Sequence, residues 1–535
     1  MPMTSTTAVS GPGSDRRAAT LLMACLGVFV AYLPITTVSV SLPAIQQALD
    51  ASTSQLAWVQ DAFVLPMAAF ILTAGVVGEV HGRKKVFQAG LLFSAAGAAV
   101  ALCAQSVQVL WVGQALAGLG AAALLPTTLA LISHAVPDVR ERGKYIGLWA
   151  MSLMAALTLG PLIAGPVIDH VDWRWIYALP VPLSLVSMAV ATSRLPESRA
   201  AAGRRLDWPG QISAMVAVTA LVYGVIEGGA GSFTEPVVLC ALAIGVLGGV
   251  AFVLVERRST SPMLDLRLFR SPGFTAATLV AMISFLALIG FFFLLSLYFG
   301  LVQQLDTLEA GLRIMLMTGA SLVVGGLAGR LMHRIAPRTL ITGGLLVVTA
   351  ALFSLLTLDV DTSFVSVGWR LVVLGLGMGC VITPMTAVAV GSVPPPLAGM
   401  AAAGNNAFRQ VGGALGPAVL GALLTTKAVD TLPGHLAGTG VDGTVGRRVV
   451  ESARADGLGA VAGADLGADT GRVMGAVGEA FLDGMRLCLT VAGSLTLLAA
   501  LVALILMRTP SRRIPQPVRP ADQHSGSGQP VRAAG

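Results

Sequence analysis

Charged residues are scarce in this sequence. Asp, Glu, Lys and Arg make up 11% of its 535 residues, and the mean hydropathy is +0.80. A soluble domain carries about 25% charged residues, so this composition excludes a soluble globular protein. Apolar runs of about 20 residues, the length that an α-helix needs to cross a bilayer, recur along most of the chain. We therefore predict an all-α polytopic membrane protein, with the lipid bilayer as its surroundings.

Cysteine and recognisable catalytic motifs are also scarce. The five cysteines fall in apolar segments, with neither a disulfide framework nor metal-ligand spacing. The sequence contains no nucleotide-binding loop and no H-E-x-x-H motif. The net charge of +7 comes from basic residues scattered in short loops, which does not favour nucleic-acid binding. We expect no enzyme activity, cofactor, metal or nucleic-acid partner; a membrane-embedded enzyme or receptor is the least favoured class.

Fourteen apolar segments are long enough to span a membrane. Lys and Arg recur in alternate loops, as at Arg83, Lys84 and Lys85, and again after the last segment at Arg512 and Arg513. Because cytoplasmic loops carry the excess of basic residues, both termini are predicted to be cytoplasmic. Residues 427–479 then form an external loop, which we interpret as a flexible cap that could hold a short surface helix.

The second half of the chain repeats the first. Leu159-Gly-Pro-x-x-x-Gly165 returns 256 residues later as Leu415-Gly-Pro-x-x-x-Gly421, and Gly118-Leu-Gly120 returns as Gly375-Leu-Gly377. Internal repeats of this kind are typical of transporters, so we predict two pseudo-symmetric six-helix halves with two helices inserted between them. The predicted parts are a disordered N-terminal tail (1–15), an N-terminal six-helix bundle (16–200), the two inserted helices (201–258), a C-terminal six-helix bundle (259–507, including the loop 427–479) and a cytoplasmic tail (508–535).

One carboxylate lies inside a predicted span. Asp61 is about one turn inside the second segment. A charge at the centre of a membrane helix costs about 2.5–3.5 kcal/mol, and less near the ends, while desolvation favours the neutral form of a carboxyl group. Asp61 could therefore take and release a proton, or attract a cationic substrate. The alternative is a solvated side chain at the outer headgroup level.

A second polar group lies in the thirteenth segment. Arg409 is preceded there by Asn405 and followed by Gln410. An intramembrane Arg normally faces the bundle interior and has a partner. We interpret Arg409 as a structural clamp between helices, with contact to substrate or an anion as the alternative. Nearer the start of the tenth segment, the spacing of Glu309 and Arg313 predicts an ion pair along one helix face.

Seven stretches together resemble the major facilitator superfamily, specifically its fourteen-helix drug:proton antiporter branch (EmrB/QacA-type). The resemblance covers roughly residues 16–427 and 480–507. The stretches are Gly75–Phe87 (motif A), Leu110–Pro126 (motif B), Ala156–Pro166 (motif C, the antiporter motif), Trp173–Trp175, Leu206–Gly210, Leu264–Phe269 and Arg409–Gly416.

The resemblance implies a major facilitator fold, with a cavity near the midplane between the halves that opens when the halves rock. It also implies a secondary transporter in the plasma membrane that exports hydrophobic or cationic small molecules, such as drugs or antibiotics, by proton antiport. The expected partners are a small-molecule substrate and protons, and the expected state is a monomer. An uncoupled facilitator is the alternative function.

Motif A is expected to control gating. Its glycines permit close packing and a sharp turn, and Glu79, where the family usually has Asp, can pair with basic groups or a helix N-terminus. Such a cluster can hold one conformation and release it when a proton binds; simple anchoring by basic residues is the alternative. The motif A candidates are Gly75, Gly78, Glu79, Gly82, Arg83 and Lys84.

Motif C supplies small residues on a bent helix. In the family, this bend is understood to seal the interface and favour exchange over leak; ordinary helix packing is the alternative. The residues concerned are Gly160, Pro161 and Gly165.

Two departures from the family pattern affect proton coupling. Pro34 takes the place of the acid in the first helix, and Gln114 takes the place of the motif B Arg. The loss of both charges preserves the charge balance of the cavity but removes the usual acid–base pair. Proton coupling in this chain then requires a modified site, for which Asp61 and Glu79 are the candidates.

Overall fold

The computed structural model describes residues 12–136, 139–197, 206–332, 334–360, 362–394, 397–456, 458, 461 and 469–507. The basic residues Arg512 and Arg513, the C-terminal tail and the first eleven residues lie outside this range. The first helix begins at Pro12, so residues 12–15 of the tail predicted to be disordered are helical.

The described residues form fifteen α-helices, of which fourteen are long and apolar enough to span a membrane. This confirms the predicted number of spans. The helices are α1 (Pro12–Leu49), α2 (Thr53–His81), α3 (Arg83–Leu102), α4 (Val107–Ala135), α5 (Val139–His170), α6 (Pro180–Arg194), α7 (Trp208–Ala230), α8 (Pro236–Arg258), α9 (Pro272–Leu297), α10 (Thr307–Leu331), α11 (Pro337–Ser354), α12 (Phe364–Gly391), α13 (Ala398–Ala437), α14 (Gly443–Asp456) and α15 (Thr470–Leu506).

Local sequence explains where several helices begin. Ser52 caps α2 with its side chain, which accepts a hydrogen bond from the Gln55 amide at 3.2 Å, while the Gln55 side chain accepts one from the Ser52 amide at 3.0 Å. This reciprocal pair satisfies two amides that a helix start leaves open. Pro272 begins α9 directly after Ser271, whose hydroxyl accepts from the Phe274 amide.

The two halves meet along two seams. Helix α5 packs on α10 to form the α5–α10 seam, and α2 packs on α13 to form the α2–α13 seam. The sequence repeat relates these seams to each other, since α13 carries the second copy of the glycine–proline motif found in α5. Each seam therefore joins one helix of the first half to one helix of the second.

The inserted helix α7 covers the α2–α13 seam. It packs on both helices of that seam and on α8. The Gln211 side chain donates to the Ala69 carbonyl at 2.9 Å and accepts from the Thr73 hydroxyl, which ties α7 to α2. On the other side, Gly229 of α7 lies directly against Ala422 of α13.

The 427–479 connection contains more helix than predicted. Helix α13 continues to Ala437, α14 follows, and α15 begins at Thr470. Leu432 of α13 and Ala453 of α14 are fully buried, and α14 packs on α13. The described part of this connection is thus packed helix rather than a flexible cap, because most helical stability in proteins comes from tertiary packing.

Candidate transport site

A cavity of about 840 Å³ lies beside the α5–α10 seam. At one end it is bounded by Tyr145 of α5, Arg330 of α10 and Gly391 of α12, and it extends inward to Met154 and to Arg409 of α13. Pockets of about 300–1,000 Å³ hold drug-sized ligands, so this space has room for one such molecule. Because its walls come from both halves, a relative movement of the halves would change its shape.

At the end of the α5–α10 seam away from the cavity, the small residues of motif C close the seam. A Cβ atom added at Gly165 would lie 2.5 Å from the Cα of Leu308, and one at Gly311 would lie 2.9 Å from the carbonyl oxygen of Pro161. Gly160 meets the Thr36 side chain of α1 equally closely. The small residues of motif C thus allow backbones of the two halves to touch, so the seam is closed at this end and open at the cavity end.

Arg409 lies on the wall of the cavity and is 3% exposed. Its Nη2 donates to the Tyr32 hydroxyl at 2.6 Å and to the Asn406 side-chain oxygen. The guanidinium also lies 4.8 Å from the centre of the Phe285 ring. Since Tyr32 belongs to the first half, Arg409 joins the halves as a clamp would and also faces the substrate space.

The neighbours of Arg409 are also buried and bonded. The Gln410 side chain donates to the same Tyr32 hydroxyl at 2.9 Å. Asn405 donates to the Ala277 carbonyl of α9 at 3.2 Å. Tyr32 was not singled out from the sequence, because a tyrosine in an apolar helix gives no local indication that two polar groups from a distant helix reach it.

Asp61 is completely buried in α2. Neither of its carboxylate oxygens has a hydrogen-bond partner among the described residues. The alternative of a carboxylate solvated at the headgroup level does not fit this environment. Asp61 is not among the residues that line the cavity, so its carboxylate offers no counter-ion to a cationic molecule bound there.

The two departures from the family pattern lie at one place. Pro34 of α1 and Gln114 of α4 line a void of about 10 Å³ together with Gln60 of α2, the residue next to Asp61. Gln114 is 2% exposed and donates to the Val59 carbonyl at 3.2 Å. The positions of the missing acid and base therefore face one another, and both are next to the segment that carries the remaining buried acid.

Motif A joins the start of α3 to the end of α6. The Lys84 amide donates to the Glu197 carboxylate at 3.2 Å, and the Lys84 ammonium donates to the Thr192 carbonyl at 2.8 Å. Arg83 donates to the Ala130 carbonyl of α4 at 3.4 Å. Glu79 itself is half-buried near the end of α2. The sequence did not indicate Glu197 as part of this cluster, because it lies over a hundred residues away.

The motif A glycines lie against α4 and Glu197, at ordinary contact distance for Gly75 and Gly78 and more tightly for Gly82. Cβ atoms added at Gly75 and Gly78 would lie 3.5 Å from Pro126 and 3.4 Å from Thr127, both in α4. Gly82 has a φ of 113° and packs against the Glu197 side chain.

We expect Gly82→Ala to destabilise the protein. A residue with a side chain is strained at this backbone conformation, at a cost of about 1–3 kcal/mol, and its Cβ would also displace Glu197. Thermal unfolding of the purified protein in detergent measures the effect. The control is Gly329→Ala, since a Cβ at Gly329 would meet nothing within 4 Å; equal melting temperatures for the two variants would contradict the prediction.

An aromatic and acidic cluster links α2 to α7. Trp58 donates from its indole nitrogen to Glu227 at 3.1 Å, and its ring lies near Trp111 and Tyr223, at centroid distances of 6.3 and 6.1 Å. Sequence reasoning missed this cluster because its members come from three helices.

The predicted ion pair between Arg313 and Glu309 is confirmed at 2.6 Å. Both residues lie in the first two turns of α10, so the pair joins successive turns of one helix, as their spacing indicated.

Fourteen membrane helices in two related halves, with a drug-sized cavity on the seam between the halves, define a membrane transporter. The profile of the Major Facilitator Superfamily matches residues 24–417. The chain belongs to this superfamily, and it is a transporter rather than an enzyme.

Similar proteins agree with this assignment. The chain is 32% identical over 502 residues to the tetracenomycin C resistance and export protein of Streptomyces glaucescens, covering 93% of each chain. It is 34% identical to the multidrug resistance protein Stp of Mycobacterium tuberculosis, covering 78% of each. Its fold resembles the crystal structure of a bacterial homologue of the human lysosomal transporter Spinster, with a TM-score of 0.61 at 15% identity over 94% of this chain and 100% of that chain.

Proposed function

We propose that the protein exports hydrophobic small molecules from the cytoplasm across the plasma membrane in exchange for protons, with Asp61 as the proton-binding residue. The observation that carries the proposal is the complete burial of Asp61 without a hydrogen-bond partner among the described residues. An ionised carboxylate in such a place is costly, and a bound proton removes that cost. The names of the resistance and export proteins to which the chain is similar support drug or antibiotic efflux.

The orientation follows from the basic loops. Arg83, Lys84 and Arg330 lie at one end of the molecule's spans, which the positive-inside rule assigns to the cytoplasm, together with both termini. The cavity then opens toward the cytoplasm, where an exporter loads its substrate, and motif C closes the external side. The proposed state is a monomer, since each chain holds a complete cavity between its own halves.

Motif A is proposed to latch the cytoplasmic end. Opening to the outside requires the cavity end of the seam to close, which moves the cytoplasmic ends of α3 and α6. The bonds from Lys84 to Glu197 and Thr192 hold the start of α3 to the segment at the end of α6. The residues of the proposed latch are Gly75, Gly78, Glu79, Gly82, Arg83 and Lys84.

The test is transport into inside-out vesicles with an acidic interior. The lumen of such a vesicle corresponds to the cell exterior, so outward proton flow should drive accumulation of a panel that includes tetracenomycin C. Nigericin, which collapses the pH gradient, should reduce accumulation to the level of vesicles without the protein. Accumulation that ignores the gradient would contradict antiport.

An uncoupled facilitator is the second candidate. It is favoured by the void where Pro34 and Gln114 replace the usual acid and base. In the same vesicles a facilitator would equilibrate the compound equally fast with and without the gradient, and would never concentrate it.

A further inference from the structure

The charge of the cavity wall is of one sign. The residues that the structure describes along the cavity include two arginines, Arg330 and Arg409, and no Asp or Glu. We propose that the cavity binds an anionic aromatic molecule whose acidic oxygen, as in a carboxylate, phenolate or enolate, pairs with Arg409. This rests on the proposed export function, because it names the class of substrate that the same cavity would carry.

Among the residues that the structure describes, no carboxylate pairs with Arg409. Its Nη2 donates only to neutral oxygens, those of Tyr32 and Asn406. Its Nε is buried without a partner among the described residues. A buried charge without an opposite charge is strongly unfavourable, and hydrogen bonds between guanidinium and carboxylate or phosphate groups are among the strongest that proteins form. An anion from the substrate would supply the missing charge.

Tyr32 holds Arg409 in place with a neutral oxygen. A hydroxyl group has one donor and two acceptor positions. The Tyr32 oxygen accepts from Arg409 at 2.6 Å and from Gln410 at 2.9 Å. Tyr32 is completely buried and is not among the residues that line the cavity, so it positions Arg409 and does not itself face the bound molecule. The Arg409 guanidinium on the cavity wall can only donate and is positively charged, so it suits an oxyanion and repels a cation.

The remaining wall suits a ring system. Tyr145, Trp149, Met151 and Met154 line the cavity along α5. The Trp149 indole donates to Thr128 at 3.0 Å, which fixes its ring. Aromatic and thioether groups provide contact area for flat apolar molecules, and the 840 Å³ volume accommodates several fused rings.

The experiment compares two dyes of similar shape and opposite charge. Fluorescein is anionic near neutral pH, and rhodamine 123 is a cation of similar shape. Equilibrium binding to the purified full-length protein in nanodiscs is followed by fluorescence anisotropy. We expect fluorescein to bind more tightly than rhodamine 123. Arg409→Ala should weaken fluorescein binding by about tenfold or more, which corresponds to about 1.4 kcal/mol, and should leave rhodamine 123 unchanged or tighter.

Two further variants separate charge from structure. Arg409→Lys keeps the positive charge and should retain the preference for fluorescein. Tyr32→Phe keeps the ring and removes the oxygen that positions the Arg409 guanidinium, so it should weaken fluorescein selectively; it also serves if Arg409→Ala does not fold. Equal losses for both dyes, a preference for rhodamine 123, or no fluorescein binding at all would overturn the inference.

The vesicle experiment and the dye experiment together test the antiport proposal and the anion-site proposal separately. Gradient-driven export together with binding that ignores dye charge would overturn only the anion site. Charge-selective binding that depends on Arg409, without gradient-driven export, would support the anion site and overturn the antiport proposal.

Discussion

We expect Asp61→Asn to abolish export driven by a pH gradient. The amide keeps the size of the side chain but cannot bind and release a proton at this position. Accumulation in inside-out vesicles with an acidic lumen should fall to the level seen after nigericin. Exchange of labelled substrate across the membrane without a gradient should persist, since the cavity lining does not include Asp61.

The matched control is Asp50→Asn. Asp50 is an exposed acid in the turn between α1 and α2, with a φ of 49°. Asn tolerates this conformation as well as Asp does, so the control variant should transport like the wild type. Gradient-driven export that survives in Asp61→Asn would place the proton elsewhere, and Glu79→Gln would then be the next variant to measure.

The second large effect is expected for Gly165→Leu. A Leu side chain at this position cannot fit against the Leu308 backbone, since even its Cβ would lie 2.5 Å from the Leu308 Cα. Overpacking of this kind costs about 1–3 kcal/mol, and here it opposes closure of the external end of the seam. Proteoliposomes with a pH-sensitive dye inside should show a faster proton leak in the absence of substrate, together with reduced export.

Gly147→Leu on the same helix is the control for this change. A Cβ at Gly147 would meet nothing within 4 Å, so the variant should hold a pH gradient like the wild type. If Gly165→Leu also holds the gradient, then motif C packs the helices without sealing the external side.

Helix existence was predictable because every span needs a long apolar run, and the fourteen segments satisfy that requirement one by one. The ends of α13 and α15 were not predictable in the same way. Asp430 and Pro433 resemble residues that follow a helix, yet α13 continues to Ala437 because Leu432 and Leu436 are buried against its neighbours. Burial of this kind depends on partners far away in the sequence.

The candidate site, too, was partly predictable from the sequence and partly dependent on distant residues. The sequence identified Asp61 and Arg409 because charges inside apolar segments are conspicuous. It left their environments open, since the burial of Asp61 depends on the helices around α2, and Arg409 bonds to Tyr32, 377 residues earlier. The sequence comparison with the family located Pro34 and Gln114 separately, and only the fold shows that they line the same void.

The position of α7 makes the two seams mechanically different. This helix is hydrogen-bonded to α2 through Gln211 and packs on α13 through Gly229, so it connects the two halves on one side of the molecule. A connection of this kind resists separation of the halves beside it and leaves the opposite side freer to move. We therefore expect the halves to separate less at the α2–α13 seam than at the α5–α10 seam, although duplication alone would have produced two equal seams.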